Sequence, residues 1–214
     1  KTPFSEEDKV DNPVSLYAAT KKSDELMASC YCKLYGIRAT GLRFFTVYGP
    51  WGRPDMSPML FAGAISSGKP IKVFNHGDMM RDFTYIDDIV RGIESLLCHP
   101  PKEDAKGALY KVYNIGNHSP VKLTEFIEIL EGCLGREAKK EYLPMQPGDV
   151  YQTYADVTEL IEDFGFAPAT PLKEGLSKFA AWFLAYKSRS SAALGQKAQE
   201  TDQPVGKQTD ALLV

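Results

Sequence analysis

Apolar residues recur along this chain at two alternating periods. Over 15–35, Leu16, Leu26, Met27, Cys30 and Leu34 fall near helical spacing and Gly36 follows as a stop, which predicts a helix. Ala39 to Phe45 reads as a strand, and its end runs into a Gly/Pro-rich loop from Tyr48 to Pro58. Ligands gather at the carboxyl ends of strands in open α/β sheets, so this loop is well placed for binding. Next come a helix over 58–67 stopped by Gly68, a short strand over 71–74 and an extended run over 81–86. A helix then runs to about Leu97 with Asp87 or Asp88 as its N-cap. Tyr110 to Ile115 alternates as a strand, 123–134 reads as a helix capped by Thr124 and ended by Gly135, and 138–142 reads as a strand. Asp156 is expected to cap a short helix. The last helix covers 172–186, with Leu176, Phe179, Ala180 and Phe183 on one face.

Residues 1–14 are polar, carry Pro3 and Pro13, and read as a loop. From Lys187 to the end there is no aromatic, and Ser, Gln, Lys and Ala dominate, which predicts a disordered tail over 187–214. Strands followed by helices argue for an α/β architecture with a parallel sheet. The strands are too few for a complete doubly wound domain.

Composition narrows the classes. The chain has 214 residues, 43% hydrophobic and 25% charged, enough for one core or one and a half. A net charge of -3 gives no sign of nucleic acid or a membrane surface as partner. No apolar run reaches the roughly 18 residues of a membrane-spanning helix. Cys30, Cys32, Cys98 and Cys133 lack Cys-x-x-Cys spacing and there are three histidines, so no metal site is expected. Mostly buried free thiols are the expectation instead. Lys1 to Asp8 reads as the middle of a loop, so a fragment or a processed product is expected. The compartment stays open between cytoplasm and lumen.

The densest chemical signal is Tyr17-Ala18-Ala19-Thr20-Lys21. Residues four apart share a helix face, so phenol and ammonium can address one ligand. A free phenol, with a pKa of about 10, is a poor base at neutral pH, and a neighbouring cation favours the phenolate. Lowering that pKa by roughly 3 units takes about 4 kcal/mol. The bland alternative is a buried Tyr beside a snorkelling Lys.

Two further segments change the balance. Gly41-Leu42-Arg43-Phe44-Phe45-Thr46-Val47-Tyr48-Gly49-Pro50-Trp51-Gly52-Arg53-Pro54-Asp55-Met56 is followed by Arg81-Asp82-Phe83-Thr84-Tyr85-Ile86-Asp87-Asp88. Together with the Tyr17 segment, these resemble the extended short-chain dehydrogenase/reductase family of nucleotide-sugar epimerases and dehydratases. The middle segment is most similar to the branch that inverts C4 of UDP-glucuronate. The resemblance spans about residues 1–186. It implies a partial Rossmann-like NAD domain from residues 1–45 and 87–117, interleaved with a smaller nucleotide-sugar domain from 46–86 and 118–186. It also implies NAD as cofactor, a UDP-sugar substrate and a homodimer formed through the Tyr17 helix. The family's Gly-rich phosphate-binding turn is not in this sequence, and neither is the Ser or Thr that precedes its catalytic Tyr. The chain therefore resembles the C-terminal portion of such an enzyme.

Roles follow from the resemblance. Tyr17 is implied as the base at O4 and Lys21 as its cationic neighbour and a ligand of the nicotinamide ribose. Phe44 is implied near the nicotinamide through its backbone, or else is core. Thr46 and Arg53 are implied as contacts of the substrate carboxylate. Oxidation at C4 of a uronate makes a β-keto acid that sheds CO₂ when the carboxylate bond aligns with the ketone, and a planar Arg fork holds orientation better than Lys. The alternative leaves Arg53 on a loop surface and Thr46 as a strand cap.

Arg81 is implied at the diphosphate, or else is paired with Asp82 or Asp87. Phe74 lines the uracil pocket or is core. Asp149, in Gln146-Pro147-Gly148-Asp149, faces the uridine ribose or only forms a turn, and Gln146 stands where the family has Arg. Trp51 either packs over the ligand or closes its loop. Cys30 and Cys32 are structural. The expected reaction is NAD-dependent 4-epimerisation of UDP-glucuronate. The rivals are a UDP-glucuronate decarboxylase, another nucleotide-sugar epimerase, and a non-catalytic remnant that binds a nucleotide sugar or only dimerises.

Overall fold

The computed structural model describes residues 1–104, 107–146 and 148–201, with side chains to Ser190. Helix α1, Leu16–Tyr35, starts where the Ser15 side chain accepts the Ala18 N–H. It ends at Gly36, whose left-handed backbone (φ 66°) suits a residue without Cβ. Strand β1, Ala39–Phe44, follows, and then β2, Thr46–Tyr48, which the sequence pattern did not separate from the loop. Helix α2, Ser57–Ser67, carries Pro58 in its first turn and stops at Gly68. Strand β3, Pro70–Val73, leads through a 3-10 turn, Phe74–Gly77, into β4, Met80–Arg81, and β5, Phe83–Tyr85.

Helix α3 is Ile86–Leu97. Its N-cap is Tyr85, with no side-chain cap, so Asp87 and Asp88 sit inside the first turn rather than at the cap. There they still favour the positive end of the helix. Then come β6, Tyr110–Ile115, β7, Val121–Lys122, and α4, Leu123–Leu134. Lys122 is the N-cap of α4, with no side-chain cap, so Thr124 does not cap it. Strand β8, Lys139–Tyr142, is followed by α5, Thr158–Phe164. Its N-cap is Val157, but Asp156 Oδ1 accepts the Thr158 N–H at 3.1 Å, one position from the expected cap.

The last helix, α6, is Leu172–Thr201, so 187–201 is helical where the sequence predicted a tail without structure. The rest of that expected tail, 202–214, lies outside the described residues.

Strand pairing is mostly parallel, the mark of an α/β fold. β1 runs parallel to β6 from Ala39 opposite Tyr110 to Phe44 opposite Ile115. β2 pairs parallel with β5 and β3 with β8, while β4 and β7 are antiparallel. Apolar side chains gather in two clusters. One joins Ile65 of α2, Val73 of β3, Phe83 of β5, Phe126 and Leu130 of α4, and Leu176 and Phe179 of α6. The other joins Ile89 and Leu96 of α3, Tyr113 and Ile115 of β6, and Ala155, Val157 and Leu160 around α5. α5 therefore packs with β6 and α3.

The opening loop is tied to the same side. The Asn114 side chain donates to the carbonyls of Phe4 and Asp156, and Glu6 accepts the Asn114 N–H. Of the cysteines only Cys32 is buried, whereas Cys30 and Cys98 are exposed, against the expectation of mostly buried thiols. No helix among the described residues is long and apolar enough to cross a membrane.

Candidate active site

Strand ends and a helix start converge on a cavity of about 620 Å³. That volume falls in the range of small-molecule sites. Thr46 at the start of β2, Phe74 after β3, Arg81 in β4 and Asp149 all line it. Phe74 is half-buried against the first apolar cluster while also facing the cavity, so core and pocket are one surface here. Arg81 Nη2 donates to Asp149 Oδ1 at 2.7 Å, and Nη1 donates to the carbonyls of Met80 and Tyr151. Its partner is thus Asp149 rather than Asp82 or Asp87. Burial pulls the Arg81 guanidinium below its ordinary value, opposed by Asp149, and it remains a cation at any working pH. Asp149 is also the turn former, its N–H donating to the Gln146 carbonyl at 3.2 Å. Gln146 lines the cavity as well. Pro147, between them in that motif, lies outside the described residues.

Tyr17, Lys21, Phe44 and Arg53 are not part of this lining. Tyr17 sits in the first turn of α1 with 68% of its surface exposed, so the alternative of a buried core tyrosine fails. Lys21 Nζ stands 6.0 Å from the Tyr17 ring centroid, as the four-residue spacing requires. It donates to Asp24 Oδ2 at 2.9 Å, and that bond holds the ammonium above its ordinary pKa. Phe44, at the end of β1, is exposed and belongs to neither core cluster. Arg53 forks onto Asp55, Nε to Oδ1 at 3.1 Å and Nη2 to Oδ2 at 2.5 Å, and Asp55 does line the cavity. The Asp55 hydrogen bond raises the Arg53 pKa.

Three features of this site escaped the sequence reading. Asp55, Met56 and Ser57 bring the N-terminus of α2 to the cavity. The Arg53-Pro54-Asp55-Met56-Ser57-Pro58 run, with Pro in the first helical turn, was the signal that could have shown it. Leu60 and Met79 supply apolar wall. Below the site, Asp82 is completely buried. Its Oδ2 accepts the N–H groups of His118 and Ala155, its own N–H donates to Thr153, and its carbonyl accepts the Thr46 N–H. Burial pushes the Asp82 pKa up, with those amides opposing. Asp82 thereby joins three chain segments directly beneath Thr46.

Comparison with known proteins places the chain in a family. The chain is 54% identical over 195 residues to Protein CapI of Staphylococcus aureus, covering 86% of this chain and 58% of that protein. It is 47% identical over 196 residues to UDP-glucuronate 4-epimerase 2 of Arabidopsis thaliana, covering 87% and 45%. Among solved structures it is similar to UDP-glucuronic acid 4-epimerase from Bacillus cereus, in complex with UDP-glucuronic acid and NAD. That match has a TM-score of 0.77 and 34% identity, over 87% of this chain and 58% of the other. The chain spans about half the length of the curated relatives it matches. Residues 1–116, more than half of the chain, match the sequence model of the NAD dependent epimerase/dehydratase family, and to that family this chain belongs.

Proposed function

We propose that this chain carries the substrate-binding part and the catalytic Tyr/Lys pair of an NAD-dependent UDP-glucuronate 4-epimerase. The observation that carries the reading is the gathering of Thr46, Phe74, Arg81 and Asp149 around one cavity. Four separate segments of the chain converge there, and their chemistry suits one ligand. Phe74 offers an aromatic wall to a uracil base. Arg81 offers a planar cation to a diphosphate. Asp149 offers an acceptor to a ribose hydroxyl. Thr46 and Arg53 address a carboxylate on the sugar. Relatives that carry the UDP-glucuronate 4-epimerase name support the choice of sugar.

Arg53 is held by Asp55 through an exposed ion pair, which is cheap to exchange. A substrate carboxylate can therefore replace Asp55 on the same guanidinium fork without a large penalty. Held that way, the carboxylate stays out of alignment with the C4 ketone, and CO₂ is retained. Tyr17 takes the proton from the C4 hydroxyl and, once the 4-keto ring has turned, returns it to O4, while the hydride returns to the opposite face of C4. Lys21 stabilises the phenolate across the helix turn.

Tyr17 and Lys21, exposed side by side, together with exposed Phe44, fit the nicotinamide-ribose end of NAD. NAD, when bound, supplies the hydride acceptor and donor at C4. The outer side of α1 presents Leu26, Met27, Tyr31 and Leu34 to solvent, and it is the proposed contact with a second copy of the chain. The test uses the protein completed to the length of its relatives. Tyr17→Phe lowers kcat by about 10²-fold or more while UDP-glucuronate still binds, and near-normal turnover would refute the assignment.

A further inference from the structure

Trp51 combines three features that rarely coexist. It is 77% exposed, its backbone lies in the left-handed region at φ 61°, and its ring is nevertheless engaged by other rings. A bulky residue there is strained and persists only where its surroundings hold it. What holds it is α6. The Trp51 ring sits 5.5 Å from Trp182 and 5.8 Å from Tyr186 by centroid, while Trp182 and Tyr186 stack on each other at 5.3 Å and 17°. Trp182 in turn packs on Phe179, which is completely buried in the first core cluster. A continuous aromatic chain therefore runs from the core to the tip of the loop at 49–56.

That loop carries Arg53. The Gly52 N–H donates to the Gly49 carbonyl and the Met56 N–H to the Arg53 carbonyl, so both of these bonds are internal to the loop. The Arg53 side chain is itself held by Asp55, two residues away in the same loop. The loop's stem is fixed where Gly49 packs against Ile86 and Tyr85, and the Trp51 contact with α6 ties its outer end to the fold.

We infer that Trp51, clamped by Trp182 and Tyr186, is a positioning residue that sets where Arg53 stands over the sugar and so favours a uronate over a neutral sugar. The inference rests on the functional reading above only for the identity of the ligand. Trp51 touches no reacting atom; it acts through Arg53. The last helix thereby becomes a determinant of specificity although it lines none of the cavity.

Two measurements on the 214-residue chain test it. Hydrogen exchange is read at the Gly52 and Met56 amides in Trp51→Ala and, independently, in Tyr186→Leu, which leaves Trp51 in place. Both variants alter exposed rings, so the fold is kept. Exchange at these two amides accelerates about tenfold, while β1 and β6 amides do not change, and Trp51→Phe restores slow exchange. Unchanged loop exchange overturns the inference whatever any ligand does. Calorimetric titration with UDP-glucuronate and UDP-glucose then reads the consequence. Trp51→Ala weakens UDP-glucuronate about tenfold and leaves UDP-glucose unaltered, and an equal loss for both ligands overturns the specificity role. Accelerated exchange in a chain whose wild type does not distinguish the two sugars supports the clamp and refutes the functional reading.

Discussion

Arg43 grips Glu25 with both arms of its guanidinium, Nε to Oε1 at 2.7 Å and Nη2 to Oε2 at 2.9 Å. The pair joins β1 to α1, so the helix that carries Tyr17 and Lys21 is keyed to the strand that leads to Thr46. Lys22 adds a second, longer contact to Glu25 at 3.4 Å. Both Arg43 and Glu25 are mostly buried, which makes this a charge-assisted bond in low dielectric.

Glu25→Gln therefore costs about 2 kcal/mol, read as a drop of roughly 5 °C in Tm. The Arg43 hydrogen bond holds the Glu25 carboxyl below its ordinary value, with burial opposing. A depressed carboxylate contributes stability above its unfolded pKa of about 4.3, and loses it as pH falls through the folded value. The gap in Tm between wild type and Glu25→Gln is thus full at neutral pH and closes in acid. A gap that persists unchanged in acid would assign the loss to packing instead.

Gly175 is where α6 meets the core. A Cβ there would lie 2.0 Å from the Tyr48 hydroxyl and 3.0 Å from Tyr85 Cδ2, both on buried side chains. Gly175→Ala destabilises by about 1–3 kcal/mol through overpacking. Gly63, inside α2, faces open space, with no atom within 4 Å of where a Cβ would stand. Gly63→Ala therefore stabilises by about 0.5–1 kcal/mol through helix propensity alone. Urea denaturation of the two variants, with opposite signs expected, checks both.

Arg53→Ala, in the protein completed to family length, frees the uronate carboxylate to align with the C4 ketone. UDP-pentose and CO₂ then appear alongside the epimer, measurable by mass spectrometry of the products. Intact epimerisation with no pentose would remove Arg53 from the carboxylate.

Much of the fold could be read from periodicity. The positions of α1, α2, α4 and β6 follow from apolar spacing and from glycine stops that the backbone confirms. The short strands β2 and β7, three and two residues long, are beneath the length at which a period of two can register. The continuation of α6 past 186 was hidden for the opposite reason. Its Ser, Ala, Lys and Gln residues offer no apolar stripe, yet several of them are good helix formers, and the helix already nucleated by Leu172 to Phe183 continues through them. At the cavity, Thr46, Phe74, Arg81 and Asp149, singled out from the sequence, come together, while Tyr17 and Lys21 stand outside its lining. The Arg81–Asp149 pair was beyond reach, because it depends on packing between segments 68 residues apart, whereas Lys21–Asp24 and Arg53–Asp55 are local pairs that spacing could have shown.

Among the described residues, β1 is paired on one side only, with β6, and the exposed Phe44 lies at its end. The opposite margin of the strand offers a row of amides and carbonyls beside the apolar outer side of α1. Such a border is adhesive, and it invites strand addition between molecules in solution. Handling follows directly: the apparent mass of the purified chain in light scattering will rise with concentration, and peptides extended enough to zip onto that margin will suppress the rise.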